Sequence, residues 1–157
     1  MHSIETSIYL YSVLQYKHSQ VLGESLNVGL LLCIPETMEL KFIYPDNLTR
    51  IVNMYPGVHE QNIRNYLKNL AIKTDILSGI NIRSTDSLFD FSKFISENLL
   101  PSDSSSLQFS TPKKGILNSV ELSKFDSLNS IAEKLYDIYF HYYYSLSANI
   151  GDIELTT

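Results

Sequence analysis

The run Val28-Gly29-Leu30-Leu31-Leu32-Cys33-Ile34 constrains the fold more than any other stretch of the chain. It is bounded by Gly23-Glu24 on one side and Pro35-Glu36-Thr37 on the other, so it has the length of a strand and stops where proline cannot donate to a ladder. Three consecutive leucines leave no polar face, which places this strand, over residues 25–34, in the centre of a sheet and buried on both faces.

The flanking segments alternate with period two. Over residues 8–16, Ile8, Leu10, Ser12, Leu14 and Tyr16 fall on one face and Tyr9, Tyr11, Val13 and Gln15 on the other. Over residues 38–44, Leu40, Phe42 and Tyr44 oppose Glu39, Lys41 and Ile43, which leaves one face wetter. Together the three strands predict an antiparallel meander, the sheet core over residues 8–44, with a polar connection over 17–23 and a turn at Pro35. Gly23 and Gly29 permit backbone angles or close approaches that a Cβ forbids, and Glu24 and Asn27 set polar groups beside the leucines.

After Tyr44 the period changes to nearly four. Asp46 or Asn47 is placed to cap a helix over residues 47–55, with Leu48, Ile51, Val52 and Tyr55 inward and Pro56-Gly57 ending it. A second helix over 58–77 carries Ile63, Tyr66, Leu67, Leu70 and Ala71 as its apolar stripe, with Arg64 and Lys68 outside it. A third, over 86–100, turns Leu88, Phe91, Phe94, Ile95 and Leu99 inward before Pro101. Leu107-Gln108-Phe109-Ser110 alternates as a short edge strand over 107–110 that returns to the sheet ahead of Pro112. The longest helix, over 123–146, carries Leu128, Ile131, Leu135, Ile138, Tyr139 and Tyr142 at helical spacing, and the tail 147–157 is expected to fray. No linker or repeat divides the 157 residues. The expectation is a single α+β domain, an antiparallel meander of three or more strands packed against about four helices.

The net charge of −5 works against whole-surface attraction to nucleic acid phosphates or anionic lipid. No run of about eighteen apolar residues reads as a membrane span, and the start has neither the basic flank nor the apolar core of a signal peptide. With a lone cysteine, Cys33, inside an apolar strand pattern, these features point to the cytoplasm and to a buried structural thiol. His2, His18, His59 and His141 are never three or four residues from one another or from Cys33, so no metal site is expected. No phosphate-binding glycine loop and no nucleophile motif with its base occurs, so no cofactor and no catalytic residue is expected. Arg64, Lys68, Lys73 and Arg83 read as a solvated basic face.

Two places remain for function. Glu24 is the best acidic candidate, as a general base or the receiver of a partner's arginine, against the plainer role of fixing the bend. Asn27 either binds a ligand or satisfies a bulge in the strand. At the other end of the chain, Tyr136, Tyr139, Tyr142, Tyr143 and Tyr144 cannot all face inward, because successive helical residues are about 100° apart. Tyr136, Tyr143 and Tyr144 fall off the stripe and are expected to meet another protein or a second copy of the chain; the alternative is that they cover the sheet edge within one chain.

Tyr11-Ser12-Val13-Leu14-Gln15-Tyr16, followed by Gly23-Glu24-Ser25-Leu26-Asn27-Val28-Gly29 and an aliphatic strand, resembles the opening of the bacterial domain-of-unknown-function family DUF3037, a strand with an arginine-tyrosine pair and then Gly-Glu-x-x-Asn-Val-Gly. Leu107-Gln108-Phe109-Ser110-Thr111-Pro112 is similar to the family's strand before its last helix, and Gln15 stands where the family usually has arginine. The resemblance implies no established activity. It implies an accessory or regulatory partner of a HipA-like kinase. The resulting expectation is a non-catalytic interaction protein using the Glu24 loop and the last helix. The alternative is an enzyme or a protein binding a nucleotide or other small ligand, with a polar site gathered from Glu24, Asn27 and Lys41.

Overall fold

The computed structural model describes residues 7–19, 24–55, 57–80, 90–100, 106–117 and 127–141. In chain order the elements are β1 (Ser7–Ser19), β2 (Glu24–Ile34), β3 (Glu39–Ile43), α1 (Thr49–Met54), α2 (Glu60–Leu77), α3 (Phe91–Asn98), β4 (Leu107–Phe109), β5 (Lys113–Leu117) and α4 (Ser127–Tyr136), which continues as a π-helical turn over Asp137–His141. The five strands form one open antiparallel sheet in the order β3-β2-β1-β4, with β5 also paired to β1. It is an α+β domain.

The leucine strand is β2, between β1 and β3, and helices cover both its faces. Val28, Leu31 and Cys33 point into a core shared with α1, α2 and α3, whereas Leu30, Leu32 and Ile34 point into a second core shared with Ile131, Leu135 and Phe140 of the last helix and its π turn. β1 divides in the alternation its sequence predicts, Leu10, Leu14 and Tyr16 to the first core and Tyr9, Tyr11 and Val13 to the second.

Between Leu14 and Gln15 the register with β2 shifts, because Leu14 pairs Gly29 and Gln15 pairs Asn27. Val28 is the extra residue of a β-bulge, so Val28 and Gly29 look into the same core. Gly29 must then be glycine: a Cβ there would lie 2.4 Å from the Phe42 ring.

Several boundaries differ from the sequence expectation. β1 runs on through Lys17-His18-Ser19, where a loop is expected, because the Lys17 N–H donates to the Ser106 carbonyl at 2.6 Å and the His18 ring stacks on Tyr55 at 4.1 Å. Helix α1 starts at Thr49, not 47, because Asn47 closes its own turn by accepting from the Thr49 N–H at 2.9 Å. Helix α2 starts at Glu60, and its stripe takes Thr74 in place of the exposed Tyr66, since the Thr74 hydroxyl donates to the Leu70 carbonyl at 2.7 Å and hides its polarity. Arg64 pairs with Glu60 on the outer face. Helix α3 starts at Phe91, where the Asp90 carboxylate caps the Lys93 N–H; Leu88 lies outside the described residues.

The edge strand returns to β1 at Leu107–Phe109 as expected and then resumes as β5, which the sequence reading does not contain. Ser110 bridges the break: its N–H donates to the Val13 carbonyl, its hydroxyl accepts from the Val13 N–H, and its carbonyl accepts from the buried Ser12 hydroxyl. Pro112, lacking an N–H, falls in this break. Lys113-Lys114-Gly115 hides the strand pattern because Gly115 is chosen to fit under the Tyr9 ring, which a Cβ would strike.

The last helix departs most. Leu128, Ile131 and Leu135 face inward as expected, but Ile138 is 58% exposed and Phe140 is fully buried. The π turn carries one more residue than an α turn, so the inward positions after Leu135 are Tyr139 and Phe140, four and five residues on. Residues 118–126 and 142–157, including Tyr142, Tyr143, Tyr144 and the expected frayed tail, lie outside the described residues.

Candidate functional site

A polar seam crosses the second core. The Gln15 amide donates to the Asn27 carbonyl oxygen at 3.2 Å, and the Asn27 amide donates in turn to the Tyr139 main-chain carbonyl at 3.5 Å. Beside it the Tyr11 and Tyr139 hydroxyls are 3.1 Å apart, and the Lys113 ammonium lies 5.9 Å from the Tyr139 ring centre. The bulge turns Asn27 toward α4 while Val28 and Gly29 turn away, so the seam follows from the bulge. Burial and the hydrogen bond to Tyr139 push the Tyr11 hydroxyl up to about 12, against the opposing charge of Lys113. These groups tie the π turn to the sheet.

The expected site residues do not gather in one place. Glu24 opens β2 opposite Ser19, and Gly23 lies outside the described residues. Gln15 faces Asn27 and Gln108 across its two neighbouring strands, whereas Glu24 sits at the strand's far end. Asn27 lies under Tyr139, and Gly29 lies under Phe42 in the opposite core. Lys41 pairs Leu32, five residues along β2 from Asn27, which is roughly 17 Å at the rise of a strand.

Lys41 instead lines an open cleft of about 530 Å³ between β3 and α4, together with Ile43, Tyr44, Asp46, Glu133, Tyr136 and Asp137. Tyr136, expected as an interface residue, thus lines the same cleft as Lys41. It is half-buried, with its ring stacked on Phe140 at 5.1 Å. Burial first, then Asp46 and Asp137, hold its hydroxyl above the ordinary tyrosine range. Asp46, from the segment after β3, and Asp137, from the π turn, thus line the same cleft as Tyr136. Tyr44, Glu133 and Asp137 are absent from the sequence-based set, and Asp46 enters it only as a cap. The signal for the helical wall was legible, because Asn129, Glu133, Tyr136 and Asp137 recur at spacings of three and four.

A second hollow of about 180 Å³ lies on the other side of the sheet, between α3 and the Ser110 break, lined by Ser92, Ser96, Gln108, Ser110 and Thr111. The Ser110 hydroxyl is already engaged by Val13. Among the described residues no group of three or more His, Cys, Asp and Glu is placed to hold a metal ion, and no helix is long and apolar enough to cross a membrane.

A family model described as "Protein of unknown function (DUF3037)" matches residues 11–131, more than half of the chain. The chain belongs to the DUF3037 family. The matched span of this DUF3037 protein runs from Tyr11 through Ile131. It includes the bulge, Asn27, Lys41 and Asp46, and it ends before Tyr136 and the π turn. No curated protein and no solved structure matches the chain.

Proposed function

We propose that this DUF3037 protein is a non-catalytic bacterial interaction protein, an accessory or regulatory partner of another protein, acting through the surface where its last helix meets the edge of the sheet. The observation that carries this reading is the cleft itself, which Tyr44, Tyr136 and charged groups line beside the outermost strand of the described sheet. Aromatic groups of this kind supply contact area at small entropic cost. The motif residues support the reading indirectly, because Gln15 and Asn27 spend their amides on holding the last helix in place.

The resemblance makes a HipA-like kinase the first partner to try, and the cytoplasm is the compartment proposed. A small ligand held jointly by Glu24, Asn27 and Lys41 has less support, since Asn27 and Lys41 are separated by the span given above. The test is co-expression with a HipA-like kinase followed by size-exclusion chromatography. Co-elution in fixed stoichiometry supports the reading. Separate elution at micromolar concentration of both proteins contradicts it for that kinase.

A further inference from the structure

Strand β3 is outermost in the sheet, and among the described residues no strand pairs with its outer side. The Leu40 N–H does not point to β2, because it donates to the Ser78 hydroxyl at 2.8 Å. Main-chain direction alternates along an antiparallel strand, so the N–H and carbonyl of Phe42 also point outward. The start of the edge is closed by the end of α2, where Gly79 N–H and Ser78 hydroxyl meet Met38 and Leu40. Among the described residues nothing pairs with the end near Phe42. Lys41 and Ile43 leave β3 on the face that α4 covers and line the cleft, while no residue of β2 does, so the cleft opens on that face at the β3 margin of the sheet, next to the Phe42 edge.

We infer that this cleft is a docking groove for an extended basic segment of a partner protein, which adds as a short strand to β3 at Phe42 and sets arginine or lysine side chains among Asp46, Glu133 and Asp137. The inference rests on the interaction reading above and gives it a place and a chemistry. Strand addition supplies main-chain hydrogen bonds, and alternate side chains of the added segment enter the neighbouring groove. The groove wall is acidic, three carboxylates against the single Lys41, and Tyr44 and Tyr136 line it with them. The protein's net charge of −5 adds attraction at longer range. The same charges repel the other candidates. A second copy pairing through β3 at Phe42 would bring this acidic wall near its equal, and nucleic acid would bring phosphates.

Three labelled hexapeptides test the inference by fluorescence anisotropy with the full chain: alternating arginine and valine, alternating glutamate and valine, and alternating arginine and proline. The arginine-valine peptide is expected to bind, and to bind more weakly as salt rises. The glutamate peptide lacks the charge and the proline peptide lacks N–H donors at alternate positions, so each is expected to bind at least about tenfold more weakly. Glu133 and Asp137 are both exposed, so the double variant E133K/D137K is expected to keep the wild-type urea midpoint and to lose about tenfold or more in affinity. No binding of the arginine-valine peptide, equal binding of the proline peptide, or undiminished binding by the double variant overturns the groove. A kinase complex that survives E133K/D137K overturns the groove and leaves the interaction reading standing. Peptide binding without a kinase complex supports the groove and removes that kinase as its partner.

Discussion

Leu135 and Phe140 lie five residues apart and are buried in the same core, while Ile138 between them is 58% exposed. An α-helix would turn position 138 inward with 139, so the exposure of Ile138 beside the burial of Phe140 marks the π turn. Phe140→Ala is therefore expected to cost about 3–5 kcal/mol, the usual loss for a buried phenylalanine, and Ile138→Ala less than about 0.5 kcal/mol. Urea unfolding of the two variants checks this. A reversal of their order would restore the regular helix expected from the sequence.

Gly29 is fixed by contact and not by backbone angle, since only Gly57 and Gly79 among the described glycines have positive φ. Gly29→Ala pushes a methyl group into the buried Phe42 ring and is expected to cost about 1–3 kcal/mol. Phe42→Leu removes the far end of the ring, so in the double variant the cost of the added methyl should fall, giving a favourable coupling energy of about 0.5 kcal/mol or more. Strict additivity in a double-mutant cycle would show that the bulge, not the ring, demands glycine.

Asn27 joins Gln15 to the Tyr139 carbonyl, and its removal leaves both of those groups without it. Asn27→Ala is expected to destabilise by about 1–3 kcal/mol. An unchanged urea midpoint would contradict the structural role. Hydrogen exchange in this variant should quicken over residues 137–141 before it quickens elsewhere.

The sheet was legible because its signals are local and unopposed. Leu30-Leu31-Leu32 has no polar face, and the two faces of β1 are written in strict alternation. A bulge beside Asn27 was legible, but the Tyr139 carbonyl that its amide reaches was not, since nothing in the sequence shows that the helical period lengthens after Tyr136. β5 was hidden for a different reason: Gly115 and two lysines look like a turn, and only the Tyr9 ring lying across Gly115 explains the glycine. Lys41 and Tyr136 were each picked out separately. That they line one cleft is a fact of tertiary packing, which the spacing of neither residue contains.

Burial pushes the Cys33 thiol up to about 12 from 9.0, and Tyr11 rises to about 12 from 10.0. Below about pH 8 both groups are protonated in the folded and unfolded chains alike. Between pH 9 and 12 the unfolded chain releases protons that the folded chain keeps, so stability falls as pH rises through that window. The melting temperature should therefore decline from about pH 9, and Cys33→Ala should flatten the first part of that decline. A thiol reagent should label Cys33 only after denaturation, because the residue is fully buried.

The central claim is that a partner meets this protein at the open side of β3, beside the last helix. Hydrogen-deuterium exchange on the free protein and on its complex with a HipA-like kinase tests it most directly. The account predicts that the Phe42 amide exchanges quickly in the free protein and becomes protected in the complex, together with the segment from Asn129 to Asp137. Protection confined to other surfaces, with Phe42 unchanged in a complex that does form, would contradict it.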